Sequence, residues 1–186
     1  MNNQKIIALV ANIGAGKSFV ADYITEKYDA ENIKTSDKLK NILNILHLDL
    51  KRENFASMSQ ALREMFGQNV LGNATFEDIK NSTSEIILLD GVRRSEDISE
   101  IEKEENFYLV FINTSLETRS KRMSARAEKT DDTNINTKVL GKNEQHDSEN
   151  RVDGLKEKAD FIIDNNGTLE DLEKNIDEVM NKILKK

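Results

Sequence analysis

The chain has no cysteine, no proline and no tryptophan among its 186 residues. Without thiols there is no disulfide scaffold, no cysteine-ligated zinc and no thiol nucleophile, and the redox compartment stays open with a lean toward the cytoplasm. Proline averages about 5% of a soluble chain, so its absence removes cis-proline turns and proline-rich linkers. Imidazole chemistry has only His47 and His146 as carriers. Apolar runs are short: Ile6 to Ala11 falls well below the ~20 residues that cross a bilayer, so neither a membrane span nor a leader peptide is expected.

Acid is in excess, with 34 Asp plus Glu against 27 Lys plus Arg and a net charge of −7. Such a balance favours solubility and argues against general attraction to nucleic-acid polymers or anionic membranes. The length suits one domain able to bury a core unaided. No internal repeat and no Gly/Ser linker divides the chain, so residues 1–186 are expected to form a single cytoplasmic domain, a monomer or homodimer.

Near-continuous Ile/Val/Leu/Phe bursts predict strands over Lys5 to Val10, Glu85 to Leu89, Phe107 to Ile112 and Asp160 to Ile163, with a weaker one over Asn32 to Thr35. Such runs belong to parallel sheets covered on both faces. Between them, Leu39, Ile42, Leu43, Leu46 and Leu50 predict an amphipathic helix capped by Ser36 or Asp37, with His47 packed on it. Thr114 with Glu117, and Thr168 with Asp171, have capping-box spacing, and Asn165-Asn166-Gly167 reads as a tight turn with positive φ at the glycine. The stretch Ala127 to Arg151 is polar, with Ile135, Val139 and Leu140 as its few apolar anchors. It reads as a mobile insertion, a lid or an ordinary loop, hinging at positions such as Gly141. His146 lies within it and is more readily solvated than catalytic.

The most informative segment is Ala11-Asn12-Ile13-Gly14-Ala15-Gly16-Lys17-Ser18, between the first strand and a helical stretch. It matches a P-loop apart from Ala11 in place of the first glycine. Small residues let backbone N–H groups approach phosphates; Lys17 adds charge at the β and γ positions, Ser18 offers a hydroxyl to Mg²⁺, and the helix start adds its dipole. Asp90, ending the strand before Gly91-Val92-Arg93-Arg94, suits a metal carboxylate or a cap. Arg93 suits an acceptor's anionic group or plain solvent. Arg119, Arg122 and Arg126 recur at helical spacing, as a phosphate clamp or as a solvated face.

These motifs, in this order over nearly the whole chain, resemble P-loop kinases of the nucleoside monophosphate kinase and dephospho-CoA kinase group. The closing Ala159-Asp160 to Asn165-Asn166-Gly167-Thr168-Leu169-Glu170 looks most like dephospho-CoA kinases. Ala61-Leu62-Arg63-Glu64-Met65-Phe66-Gly67 and Asp90 to Arg93 look more like deoxynucleotide monophosphate kinases and adenylate-kinase-like ATPases. The resemblance implies an α/β three-layer P-loop NTPase fold with a five-stranded parallel sheet, acceptor-binding helices at about 37–80 and a mobile lid at about 119–150. It implies ATP and Mg²⁺ as cofactors and a small nucleotide as acceptor. Ile13, Gly14, Ala15, Gly16, Lys17, Ser18, Phe19, Arg119, Arg122, Asn165, Asn166 and Gly167 would bind ATP, the last three near adenine. Lys17, Asp37, Arg122 and Arg126 would be catalytic; Asp37, Arg63, Asp90 and Arg93 would meet the acceptor; Ser18 and Asp90 would hold the metal. Asp37 could equally be a helix cap, and Arg63 an exposed helix site. The implied reaction is phosphoryl transfer to a nucleoside or deoxynucleoside monophosphate, with dephospho-CoA phosphorylation and a nucleotide-binding ATPase or regulatory module as alternatives.

Overall fold

The computed structural model describes residues 4–130 and 147–185. Five parallel strands, β1 (Lys5–Ala11), β2 (Glu31–Lys34), β3 (Ile86–Asp90), β4 (Phe107–Asn113) and β5 (Phe161–Asp164), form one sheet in the order β2-β3-β1-β4-β5. Each lies within a residue or two of its expected place. β1 is central because both its faces are apolar: Ile7 and Leu9 enter one core and Ile6, Ala8 and Val10 the other.

The first core is closed by α1 (Lys17–Tyr28) and the C-terminal helix, through Val20, Ala21 and Ile24 from one and Leu172, Ile176, Val179, Met180 and Ile183 from the other. The opposite core takes Ile79 of the helix Val70–Asn81, Ile98 just after the short 3₁₀ turn Ser95–Asp97, Ile101 of a second such turn (Ile101–Lys103), and Val152 and Leu155. In chain order the remaining helices are α2 (Thr35–Ile45), α3 (Arg52–Phe66), α4 (Val70–Asn81), α5 (Leu116–Thr130), α6 (Asp147–Lys156) and α7 (Leu169–Leu184). Helices on both faces of one parallel sheet give the expected three-layer α/β arrangement.

Several local expectations change. Helix α2 starts at Thr35, so Ser36 and Asp37 lie inside its first turn, and no side chain caps it. It also stops at Ile45: His47 turns the chain with φ 53°, is exposed rather than packed, and leaves Leu46, Leu48 and Leu50 in solvent. Ser115, not Thr114, caps α5 by accepting the Thr118 N–H at 3.2 Å. The Thr168–Asp171 capping box forms as read, with bonds in both directions. Gly167 does not take positive φ; glycine fits there because a Cβ would lie 2.7 Å from the Asp171 carboxylate. Residues 119–130 of the expected lid are helical, part of α5, and its far end carries α6. Positions 131–146, with Ile135, Val139, Leu140, Gly141 and His146, lie outside the described residues.

Candidate functional site

All five strands end on one edge of the sheet, where open parallel α/β sheets bind ligands. The register brings Leu9 opposite Asp90 and Lys34 opposite Asp90 on the other side, so β1, β3 and β2 deliver their following segments side by side.

After β1 the chain wraps into the loop Asn12 to Gly16. Gly14 and Gly16 have φ of 80° and 87°, a region that glycine enters without strain. Gly16 also packs so closely on the Asn165 amide that a Cβ would come to 2.5 Å. The start of α1 carries no side-chain cap and no acidic residue in its first turn. Its leading N–H groups and positive dipole end therefore remain available to an anion.

The loop is held from behind by side chains from distant strands. The buried Asn165 donates to the Ala15 carbonyl at 2.8 Å, and Thr114 donates to the same oxygen at 3.1 Å. Arg119, also buried, donates to the Ile13 carbonyl at 3.2 Å and to the Thr114 carbonyl at 3.3 Å. Arg122 reaches the carbonyl and the side-chain oxygen of Asn165, both at 3.2 Å. Asn12 donates to Asp153 of α6 at 3.1 Å, and Asn166 accepts the Ser115 N–H at 2.8 Å. Beyond this turn, hydrogen bonds from the Thr168 hydroxyl and backbone N–H hold the Asp171 carboxyl below the usual carboxylate range.

Lys17 is ion-paired with Asp90 at the end of β3. Ser18 is exposed, and Phe19, 36% exposed, stacks on Tyr23 with centroids 6.2 Å apart. Arg93 projects into solvent beyond Asp90, and only its backbone is bonded among the described residues. Asp37 is exposed on the first turn of α2, whose first residue, Thr35, abuts Gly91 with 3.4 Å between the Thr35 Cβ and an ideal glycine Cβ.

Arg63 is placed differently from the exposed helix site or phosphate ligand that its sequence context suggests. It is buried; Nη2 pairs with Asp97 Oδ1 at 2.5 Å, Nε bonds the Ser59 hydroxyl at 3.3 Å, and Nη1 bonds the Gln68 carbonyl. The backbone of Arg126 lies in α5 and its side chain outside the described residues. The structure thus brings Ile13 to Phe19, Asp90, Arg119, Arg122 and Asn165 together, places Asp37 and Arg93 beside them, and sets Arg63 behind.

Sequence reasoning missed Asp97, Asn12 and Thr114 as supports. Asp97 follows Ser95-Glu96 with no spacing signal, and only the fold brings it to Arg63. Asn165, expected near adenine, donates its side-chain amide to the Ala15 carbonyl and braces the loop.

A family model described as an AAA domain matches residues 13–139, the span from the phosphate loop into the insertion. The chain belongs to the AAA domain family. Over 97% of its length this AAA domain protein is 28% identical to a UPF0200 protein of Sulfurisphaera tokodaii, 98% of which is covered. It is 25% identical over 96% of its length to a UPF0200 protein of Methanocaldococcus jannaschii, covering 90% of that protein. Among solved structures the AAA domain protein is similar to the shikimate kinase from Bacteroides thetaiotaomicron, with TM-score 0.58, 11% identity and 96% and 98% of the two chains covered. It is also similar to the dephospho-CoA kinase from Campylobacter jejuni, with TM-score 0.56, 16% identity and 97% of each chain covered. The fold of this AAA domain protein is that of the P-loop small-molecule kinases. No helix among its described residues is long and apolar enough to cross a membrane.

Proposed function

We propose that the protein is an ATP- and Mg²⁺-dependent kinase whose acceptor is a nucleoside or deoxynucleoside monophosphate. The observation that carries this reading is the uncapped start of α1, with Lys17 held at Asp90 and, on the segment that follows, the exposed Arg93 guanidinium, which has no partner among the described residues. Anion-binding donors, the Lys17 cation, a strand-end carboxylate and a second cation then stand along one sheet edge.

In this account the backbone from Ile13 to Phe19 wraps the phosphates. Lys17 leaves Asp90 for the β and γ phosphate oxygens. The Ser18 hydroxyl and the Asp90 carboxylate fit a hard cation that takes oxygen ligands. When bound, Mg²⁺ neutralises charge on the transferring group. Arg122, with Arg126 one turn further, adds positive charge above it. Arg119 acts through the Ile13 carbonyl and Asn165 through that of Ala15, keeping the loop open for an anion, while Asn166 and Gly167 flank the base of ATP. Arg93 takes the acceptor's phosphate, and helices α2 to α4 form the acceptor side of a single domain whose lid spans about 119–150.

An acceptor that is already a phosphate has an ionised oxygen and needs no strong base. Asp37, exposed and without a side-chain partner among the described residues, favours a second reading, in which it takes the proton of an attacking ribose hydroxyl, as phosphorylation of dephospho-CoA requires. Assaying Asp37→Asn against a panel of nucleoside monophosphates and dephospho-CoA separates the two. Monophosphate transfer with turnover reduced only a few-fold supports the first reading. Transfer to dephospho-CoA alone, reduced about a hundredfold or more, supports the second.

A further inference from the structure

Helix α3 turns Met58, Ser59, Leu62 and Arg63 inward, all of them buried or half-buried. Phe66 follows Leu62 by four residues and Arg63 by three, so it continues the same face. Yet it is 63% exposed, because the helix ends there at Gly67 and no described element covers it. Met65, three residues after Leu62 and seven after Met58, lies at the edge of this face and is 74% exposed. An aromatic ring on the inward face of a helix, left open, is the position of a side chain awaiting something to pack on.

What stands beside it is fixed by Asp97, only 3% exposed. One carboxylate oxygen takes the Arg63 guanidinium at 2.5 Å. The other accepts the backbone N–H groups of Arg93 at 3.0 Å and Arg94 at 3.2 Å. Arg94 in turn donates to the Gln68 side chain at 3.2 Å, just past the end of α3. Gly72 of α4 seals the junction, since a Cβ there would lie 2.4 Å from the Asp97 carbonyl. A single buried carboxylate thus ties the end of α3, bearing Phe66, to the segment bearing Arg93. An open aromatic ring and an unspent guanidinium on two elements joined this way match a ligand with a planar ring at one end and a phosphate at the other.

We infer that Phe66 is the platform on which the acceptor's base rests, with Arg93 holding its phosphate and the Arg63–Asp97 pair keeping the two in register. The inference rests on the proposed kinase reading and narrows its acceptor to ring-bearing phosphates. Phe66 is exposed, so its replacement leaves the core intact.

The test uses Phe66→Ala and Phe66→Trp in the full chain. Phe66→Ala should raise KM for the accepted nucleoside monophosphate about tenfold, the scale of one base–aromatic stack, leave KM for ATP unchanged, and leave any transfer to ribose 5-phosphate untouched. The chain has no tryptophan, so Phe66→Trp adds a single fluorophore. Nucleoside monophosphates should quench it and ribose 5-phosphate should not. A KM for the monophosphate within twofold of wild type, or a tryptophan that no monophosphate quenches, overturns the platform. A quenched tryptophan in a protein whose wild type phosphorylates no monophosphate supports the platform and defeats the kinase reading alone.

Discussion

Lys17 on the phosphate loop and Asp90 at the end of β3 are ion-paired across the gap between neighbouring strands. The side chains are 24% and 15% exposed, so the pair sits at the rim, where its partners can be exchanged. On the proposed reading, an incoming phosphate would replace one anionic oxygen by another at Lys17 and free the carboxylate. Lys17→Ala should therefore lower phosphotransfer by about a hundredfold or more, the scale of losing one charge-stabilising donor. The far-UV circular dichroism and the unfolding midpoint should stay close to wild type, and turnover at the wild-type rate would show that the loop does not hold the transferring phosphates.

Asn165 is the loop's main prop, buried at 3% exposure and bonded to Ala15 across 150 residues of sequence. Asn165→Ala removes the donor and leaves the Ala15 carbonyl with Thr114 alone. A loss of about 1–2 kcal/mol from one buried hydrogen bond should appear as a KM for ATP raised about tenfold, with the acceptor's KM little changed. Titration with ATP by calorimetry reads the same difference without turnover.

The Arg63–Asp97 pair is structural in the first instance. Removing one partner of a buried ion pair strands the other charge, at a cost of about 3–5 kcal/mol. Asp97→Ala should lower the urea midpoint accordingly. At temperatures where the variant is folded, it should raise the acceptor's KM more than that of ATP, because Arg93 loses its backbone anchor. A purely structural role would leave the ratio of the two KM values unchanged.

Away from the site, Asp177 of α7 accepts hydrogen bonds from Tyr28 at 2.8 Å, Lys27 at 2.8 Å and Tyr23 at 3.2 Å, clamping α7 to α1. Burial pushes the Asp177 carboxyl up, but the donors outweigh it and hold the group below the usual range. Burial, then the bond to Asp177, pushes the Tyr28 hydroxyl up to about 12. The lowered carboxyl contributes stability that is present above about pH 4 and lost as pH falls through its folded value. The raised phenol contributes stability that is complete below about pH 10 and lost as pH rises through about 12. Urea midpoints measured from pH 2 to 5 should fall less steeply in Asp177→Asn than in wild type.

The strands were legible in the sequence because a buried parallel strand is a short apolar run, and Ile6 to Val10 has no other use. The phosphate loop was legible because its glycines, lysine and serine each answer a separate demand of anion binding. Helix α6 was not, since Val152 and Leu155 are two apolar residues in a polar stretch, and only their burial against the sheet marks them. The end of α2 was misplaced for the opposite reason: Leu46 and Leu50 keep the helical spacing, but the chain turns at His47 and leaves them exposed. Arg63 and Asp97 lie 34 residues apart, and no local pattern announces a pair that only the folded sheet edge brings together.

Transfer of the terminal phosphoryl group itself decides the central claim. With γ-labelled ATP and Mg²⁺, wild-type protein should move label onto at least one nucleoside or deoxynucleoside monophosphate, and Lys17→Ala should not. Label released only as inorganic phosphate, with every monophosphate and with dephospho-CoA left unlabelled, would contradict the account.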